Sequence, residues 1–352
     1  MRDIAVVGFA QSKHVESDTH HNEVEMLMPV IADVVKQSGI GAKEIGFTCS
    51  GSCDYLIGAP FSFVQALDAV GAWPPISESH VEMDAAWALY EAWVALQHGD
   101  IESALVYGFG KTSTGDLGEI LNLQLDPYTV APLGLDHLSY GGLQARAYLD
   151  TTGRSERDLA EVAARSAHDA RDNPNAVRRG EVTADDVLGE PPVRSPLRPF
   201  DCAPITDGAA AVVLAAGDLA RRVCSRPAWI RGIDHRIEAH QLGVRDLATS
   251  MSTALAGDTA GVASGAVDVA ELHAQFSHEE LILREALGLG DEVRVNPSGG
   301  ALGANPVMAT GLIRIGEVAH RIHDGSATRG VAHASSGPCL QQNLVCVLEG
   351  TD

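Results

Sequence analysis

Two polar steps stand directly ahead of unusually apolar runs. Glu82 and Asp84 precede AAWALYEAWVAL (85–96), in which Glu91 is the one charge. Asn305-Pro306 opens onto PVMATGLIRI (306–315), in which Arg314 is the one charge. Asn is a good N-cap and Pro is tolerated at the first helical position, so Asn305-Pro306 reads as a helix start. A helix start presents unpaired N–H groups and the positive end of the dipole. That suits an anion, or an oxygen that becomes negative during a reaction. The same residues fit plain helix caps equally well, and spacing leaves both readings open. The six cysteines (Cys49, Cys53, Cys202, Cys224, Cys339, Cys346) form no comparable pattern. CSGSC (49–53) has the wrong separation for a redox pair, and no Cys/His set completes a zinc site. Reduced thiols are expected, with no metal and no bound cofactor. HGD (98–100) and HRIHDG (320–325) read as helix ends followed by turns.

Helices apolar nearly all round must be enclosed on every side, in a core layer or a membrane. No run approaches the roughly 20 apolar residues that span a bilayer, which leaves the core layer. The remaining chain alternates accordingly. Strands are expected at 4–10, 45–50 and 104–109, with helices at 23–38, 62–70 and 84–97. The order then repeats: strand 228–234, helix 245–255, strand 267–273, helices 278–287 and 305–322, and closing strands 330–334 and 343–348. This predicts an α/β sandwich of two similar halves, with two sheets flanking the pair of enclosed helices and amphipathic helices outside. The N-terminal half comprises 1–111 plus 207–224 and the C-terminal half 225–352. Between them, 112–206 is expected as a polar loop insertion, ending at DGAAAVVLA (207–215), a buried strand.

The 352 residues carry 25 Lys+Arg against 47 Asp+Glu, a net charge of −22. Such acidity argues against nucleic-acid and anionic-membrane partners, because both need a positive surface. The N-terminal apolar run is too short for the core of a signal peptide, and a cytoplasmic location is expected.

Four segments, in order, resemble the thiolase family, specifically the sterol-carrier-protein thiolase and lipid-transfer-protein branch. SGG (298–300) leading to Asn305-Pro306 and ATG (309–311) resembles the family's SGG…GHPxGATG signature. ELHAQFSHEELILREALGL (271–289) resembles the branch's VHDCFS…EL…EALGL stretch, and CAPITDGAAA (202–211) its CPTSDGAAA motif. Residues 82–111, ending ALVYGFGK, lie on the family's nucleophile helix and following strand. The resemblance implies a thiolase-like five-layered αβαβα sandwich, a homodimer, and acyl-CoA thioesters as substrates.

The departures bear on chemistry. Ungapped alignment places Glu82 where the family has its nucleophilic Cys. Asn305 replaces the GHP histidine, and the C-terminal Cys-x-Gly-Gly-Gly motif becomes HASSGPCLQQN (333–343), with Cys339 its one thiol. His273 keeps the position of the branch's oxyanion-hole histidine. An acyl group on a carboxylate would be a mixed anhydride, prone to hydrolysis, so classical acyl transfer is not expected. The resemblance extends to Cys-less homologues that act as retro-aldolases in sterol side-chain breakdown, paired with an OB-fold/zinc-ribbon (DUF35) protein. Enolate stabilisation by His273 and Asn305 during cleavage of a 3-hydroxyacyl-CoA is the leading expectation. A non-catalytic subunit, or a lipid-transfer or acyl-CoA-binding scaffold, is the alternative. Candidates for the base are Glu82, His333, Tyr140 and Cys339. Ser335 stands near where those aldolases carry a tyrosine. Arg154, Arg157, Arg165, Arg171, Arg178 and Arg179 are candidates to steer CoA phosphates or, equally, solvated helix faces.

Overall fold

A computed structural model describes residues 2–123 and 125–350. The outer limits of the two halves, at residues 1 and 352, lie outside the described residues. The chain opens with β1 (Ile4–Gln11) and α1 (Glu23–Ser38). An Asn22/Glu25 capping box starts α1 and left-handed Gly39 ends it, the usual polar start and glycine stop. There follow β2 (Phe47–Gly51), α2 (Asp54–Ile57), α3 (Ser62–Val70), β3 (Glu78–Val81), α4 (Ala85–His98) and β4 (Ser103–Gly110).

The stretch expected as a loop is mostly helical: α5 (Leu117–Leu123), α6 (His137–Thr152), α7 (Glu156–Asp169) and α8 (Ala184–Gly189). Its many charges had masked the period. On α7 the apolar side is carried by Leu159, Ala160, Val162 and Ala163, small residues set between acids and arginines. After the two-residue β5 (Ile205–Thr206) comes the fully buried β6 (Gly208–Ala216), then α9 (Gly217–Val223).

The second half comprises β7 (Ala228–Ile237), α10 (Met251–Ala260), β8 (Val269–Leu272), α11 (Ser277–Ala286), β9 (Arg294–Val295) and α12 (Gly300–Gly303). It closes with β10 (Asn305–Pro306), α13 (Thr310–His323), β11 (Arg329–Ser336) and β12 (Gln342–Gly350). The strands run β3-β2-β4-β6-β1 in one half and β7-β12-β11-β8-β9 in the other. The two blocks meet only where Ala5 and Val6 pair with Trp229 and Ala228.

Three apolar cores stack through the molecule. The central one joins α4 and α13 to the inward faces of both blocks. A second lies between the N-terminal block and α1, and a third between the C-terminal block and the helices beyond it, α10 and α11 among them. Helix, sheet, helix pair, sheet and helix therefore alternate, the five layers expected. Every α13 residue from Thr310 to Ala319 is buried. Arg314, its lone early charge, is held by a buried ion pair with Glu271 at 2.6 Å, and its guanidinium also donates to Ser298 Oγ at 2.7 Å. On α4 the first five residues are buried, while one face farther along is only half-buried.

One expected element differs. The helix predicted to open at Asn305 begins instead at Thr310, because Asn305-Pro306 pairs in parallel with Ile205-Thr206 as β10. No side chain on α13 caps it. Among the described residues no helix is long and apolar enough to cross a membrane.

Candidate active site

The starts of α4 and α13 meet on a single carboxylate. Asp84, fully buried at the N-cap of α4, accepts from Ala86 N–H at 2.9 Å, Gly311 N–H at 2.8 Å and Leu312 N–H at 3.2 Å. It caps its own helix and the facing one together, across more than 220 residues of chain. Burial pushes its carboxyl up while the three N–H donors pull it down. The hydrogen-bond acceptor expected from a substrate at these helix tips is thus supplied by the chain itself. The close approach needs glycine: a Cβ on Gly311 would lie 2.5 Å from Asp84 Oδ1.

Asp84 forms part of the wall of a cavity of about 330 Å³, which also takes in His273, Asn305, Tyr140, Cys339 and Glu279. The lining also holds an apolar set, Leu117, Leu121, Leu125, Leu135, Val307 and Met308. Mostly apolar lining with a few polar groups is the usual construction of a pocket for a ligand with a functional head and a hydrocarbon body.

His273 follows β8, where its backbone N–H donates to the His333 carbonyl at 3.2 Å and so continues the ladder with β11. Ser335 N–H donates to His273 Nδ1 at 3.3 Å, and Ser335 Oγ donates to the His273 carbonyl at 3.0 Å. With Nδ1 accepting, the ring proton sits on Nε2, which has no hydrogen-bond partner among the described residues, the Asn305 side chain lying beside the ring. Burial, with help from His333 and Arg314 nearby, pushes the imidazole down to about 3. It is a neutral N–H donor at pH 7.

Asn305 is oriented in the same way. Thr310 Oγ1 donates to Asn305 Oδ1 at 2.7 Å, which turns the amide nitrogen the other way. That Nδ2 is buried and without a partner. Two side chains, each fixed through its acceptor atom, therefore leave a buried donor unsatisfied beside one cavity. An unsatisfied buried donor costs free energy, about 1–3 kcal/mol each, which a ligand oxygen would recover.

The base candidates separate. Glu82 is not in the cavity: its side chain is 48% exposed, accepts from Asp54 N–H at 2.6 Å and pairs with His80. Asp84, two residues on, occupies the helix start instead, an offset the ungapped alignment did not capture. His333 is a core histidine between β11 and its neighbours, with Nε2 against Asn343 Oδ1 at 3.0 Å, and burial pushes it down to about 4. It does not line the cavity. Cys339 does, but its Sγ donates to the Tyr140 carbonyl at 3.5 Å, and burial pushes the thiol up to about 12. It is neither thiolate nor base at neutral pH. Tyr140 also lines the cavity, its hydroxyl buried and unpartnered, with burial pushing the phenol up to about 12.

Glu279 was not singled out from sequence. It sits in the first turn of α11, where Oε2 accepts from Gln275 N–H at 2.7 Å and Phe276 N–H at 3.3 Å. Burial pushes its carboxyl up to about 7, against those two hydrogen bonds. Its legible signal was only that of a capping glutamate in SHEEL, which it is.

The arginines of the central segment are committed elsewhere. Arg154 pairs with Asp158 and Glu285, Arg157 with Asp185, Arg165 with Glu280, and Arg171 with Glu181. Arg178 and Arg179 bind backbone carbonyls.

No protein-family model matches the chain. The acetyl-CoA acetyltransferase of Methanothermobacter thermautotrophicus is 27% identical over 368 residues, covering 96% of this chain and 95% of that protein. Sterol carrier protein 2 of Homo sapiens is 24% identical over 308 residues, covering 73% of this chain and 54% of that protein. Among solved structures, an Ltp2-ChsH2(DUF35) aldolase superposes with a TM-score of 0.83 over 99% of this chain and 97% of that one, at 19% identity. The acetyl-CoA acetyltransferase of Bacillus anthracis gives 0.81 over 100% and 99%, at 16% identity. With its paired helix starts, two five-stranded blocks and full-length likeness to these proteins, the chain has the thiolase fold and is similar over nearly its whole length to acetyl-CoA acetyltransferases.

Proposed function

We propose that the protein binds acyl-CoA thioesters and cleaves a 3-hydroxyacyl-CoA by a retro-aldol reaction. The observation that carries this reading is the pair of unpartnered, oriented donors, His273 Nε2 and Asn305 Nδ2, beside one cavity. In the reaction the 3-hydroxyl proton is removed, the C2–C3 bond breaks, and C3 leaves as the carbonyl carbon of a ketone or aldehyde. The electron pair passes to C2 and the thioester oxygen, where negative charge develops. Preorganised neutral donors stabilise that charge as it forms, without reorganisation. No covalent acyl intermediate is needed, consistent with a cavity whose one cysteine, Cys339, stays protonated. The likeness to the Ltp2-ChsH2(DUF35) aldolase, at TM-score 0.83, is compatible with this choice. The proposal includes a homodimer, a DUF35-type partner, and a steroid side chain as one member of the substrate class.

A second reading, an acyl-CoA-binding scaffold without catalysis, is favoured by one observation. Asp84 already occupies the positive helix tips that would otherwise act on substrate charge.

Product analysis separates the two. The purified protein, with and without any co-purifying partner, is given a panel of 3-hydroxyacyl-CoA thioesters, and the shortened acyl-CoA and the carbonyl product are measured. Cleavage in either state supports the lyase. No cleavage in both states overturns it and leaves the scaffold.

A further inference from the structure

The retro-aldol reading needs a group to take the 3-hydroxyl proton, and the residues expected for this from sequence are unsuited or displaced. Glu82 faces solvent, His333 lies in the core, and the Cys339 thiol and Tyr140 phenol hold their protons at neutral pH. Two carboxyl groups line the cavity. Asp84 uses both oxygens on backbone N–H donors at the helix starts. Glu279 uses only one: both its hydrogen bonds fall on Oε2, and Oε1 makes none among the described residues.

Resting on the retro-aldol reading, we infer that Glu279 is the general base of this site. Oε1 takes the proton of the 3-hydroxyl as the C2–C3 bond breaks, and the resulting carboxylic acid returns a proton to C2 of the enolate. The balance closes within the site: one proton moves from O3 to C2, one C–C bond breaks, and no oxidant, reductant or metal is consumed. Oε2, held by Gln275 and Phe276 N–H, fixes the carboxyl so that the free oxygen is the mobile one.

The electrical surroundings suit this cycle. Glu279 makes no ion pair among the described residues; the Cys202 and Cys339 thiols and, on the cavity lining, His273 and Tyr140 are neutral at pH 7. Arg178 and Asp201 lie toward Cys202, Arg245 toward Cys339, and the other carboxyl of the lining, Asp84, is bound to three backbone N–H groups. On its own helix, neutral His278 bonds Gln144, Glu280 pairs with Arg165, and Arg284 pairs with Asp291. Burial, opposed by the Gln275 and Phe276 N–H groups, sets the carboxyl near neutrality, where a base and its conjugate acid are both accessible.

The test uses the full chain and whichever 3-hydroxyacyl-CoA the wild type cleaves. Glu279→Gln is expected to lower kcat by about 10²–10⁴-fold, with the dissociation constant for the product acyl-CoA unchanged. Glu279→Asp recovers part of the loss. The wild-type profile of log kcat against pH falls on the acid side of an apparent pKa near 7, and the residual activity of Glu279→Gln lacks that limb. Where Glu279→Gln fails to fold, Glu279→Asp and the wild-type profile carry the decision. Undiminished kcat in Glu279→Gln, or a wild-type profile without the acid limb, overturns the assignment while cleavage by the wild type upholds the retro-aldol reading. No cleavage by the wild type overturns that reading itself.

Discussion

The Asp84 carboxylate accepts the backbone N–H of Gly311 at 2.8 Å and that of Leu312 at 3.2 Å, so a residue at the start of α4 caps α13. Each helix alone would leave its first N–H groups unsatisfied inside the central core, where water cannot reach them. One carboxyl group solves this for both, and it ties the two halves together.

Removing that carboxyl group should loosen the whole centre. Asp84→Ala is expected to cost about 2–4 kcal/mol, the sum of a lost cap and buried donors left unpaired. Gly311→Ala should also destabilise, since its Cβ would lie 2.5 Å from both Asp84 Oδ1 and Ala334 Cβ. Urea unfolding measures both, and an Asp84→Ala cost under about 0.5 kcal/mol would show that the bridge is incidental.

The two donors should act on kcat rather than on folding. His273→Ala and Asn305→Ala are each expected to lower kcat by about 10²–10³-fold, with less change in KM. Because both serve one oxygen, the double variant should lose less than the product of the two factors. Steady-state kinetics on a cleaved thioester checks this. Strict additivity would mean that the donors serve different groups.

Cys339 and Glu82 should be dispensable for chemistry. Cys339→Ala and Glu82→Gln are expected to keep kcat within about threefold of the wild type. Mass spectrometry after substrate addition should show no acyl adduct on Cys339, whose thiol is protonated. An adduct there would restore covalent catalysis.

Acid should destabilise the fold well before the surface carboxylates titrate. Burial holds His14, His273 and His278 down to about 3 and His333 to about 4, against 6.5 for an ordinary histidine. Below pH 6.5 the unfolded chain binds protons that the folded rings refuse. Stability therefore falls as pH drops from 6.5 toward 4, by about 1.4 kcal/mol per pH unit for each such ring. Tm measured from pH 7 to pH 4 should decline throughout, and a flat Tm across that range would contradict neutral burial of these rings.

Glu279 should cost stability at high pH. Its carboxyl is harder to ionise folded than unfolded, so its contribution is fully present below the ordinary 4.5 and is lost as pH rises through about 7. Glu279→Gln keeps an acceptor for Gln275 and Phe276 N–H without the buried charge. At pH 8 it is expected to be more stable than the wild type by on the order of 1–3 kcal/mol, and at pH 4.5 equal to it. Thermal unfolding at the two pH values decides. An equal difference at both would detach the effect from ionisation.

The architecture was legible because it is written in local patterns. The apolar runs 85–96 and 306–315, the alanine-valine strand after Asp207 and the order of segments specify enclosed helices between sheets, since burial follows from composition and period. The helices of the central segment were missed because their apolar residues are interrupted by glycine, polar and charged ones, as in α6 and α7, a weak signal. His273 and Asn305 were visible from the motifs around them, and both line the cavity.

The arrangement of the candidate site was not legible. Whether Glu82 or Asp84 sits at the helix tips depends on a two-residue offset that only packing against Gly311 resolves. That the His333 carbonyl and Ser335 both hold His273 follows from the pairing of β8 with β11, a long-range contact that no local pattern specifies. Glu279 looks like any capping glutamate until the fold seals it beside the cavity. Residue type and spacing determined which groups this chain possesses. Tertiary structure alone decided which of them lose water, because desolvation is a property of the neighbours a side chain acquires.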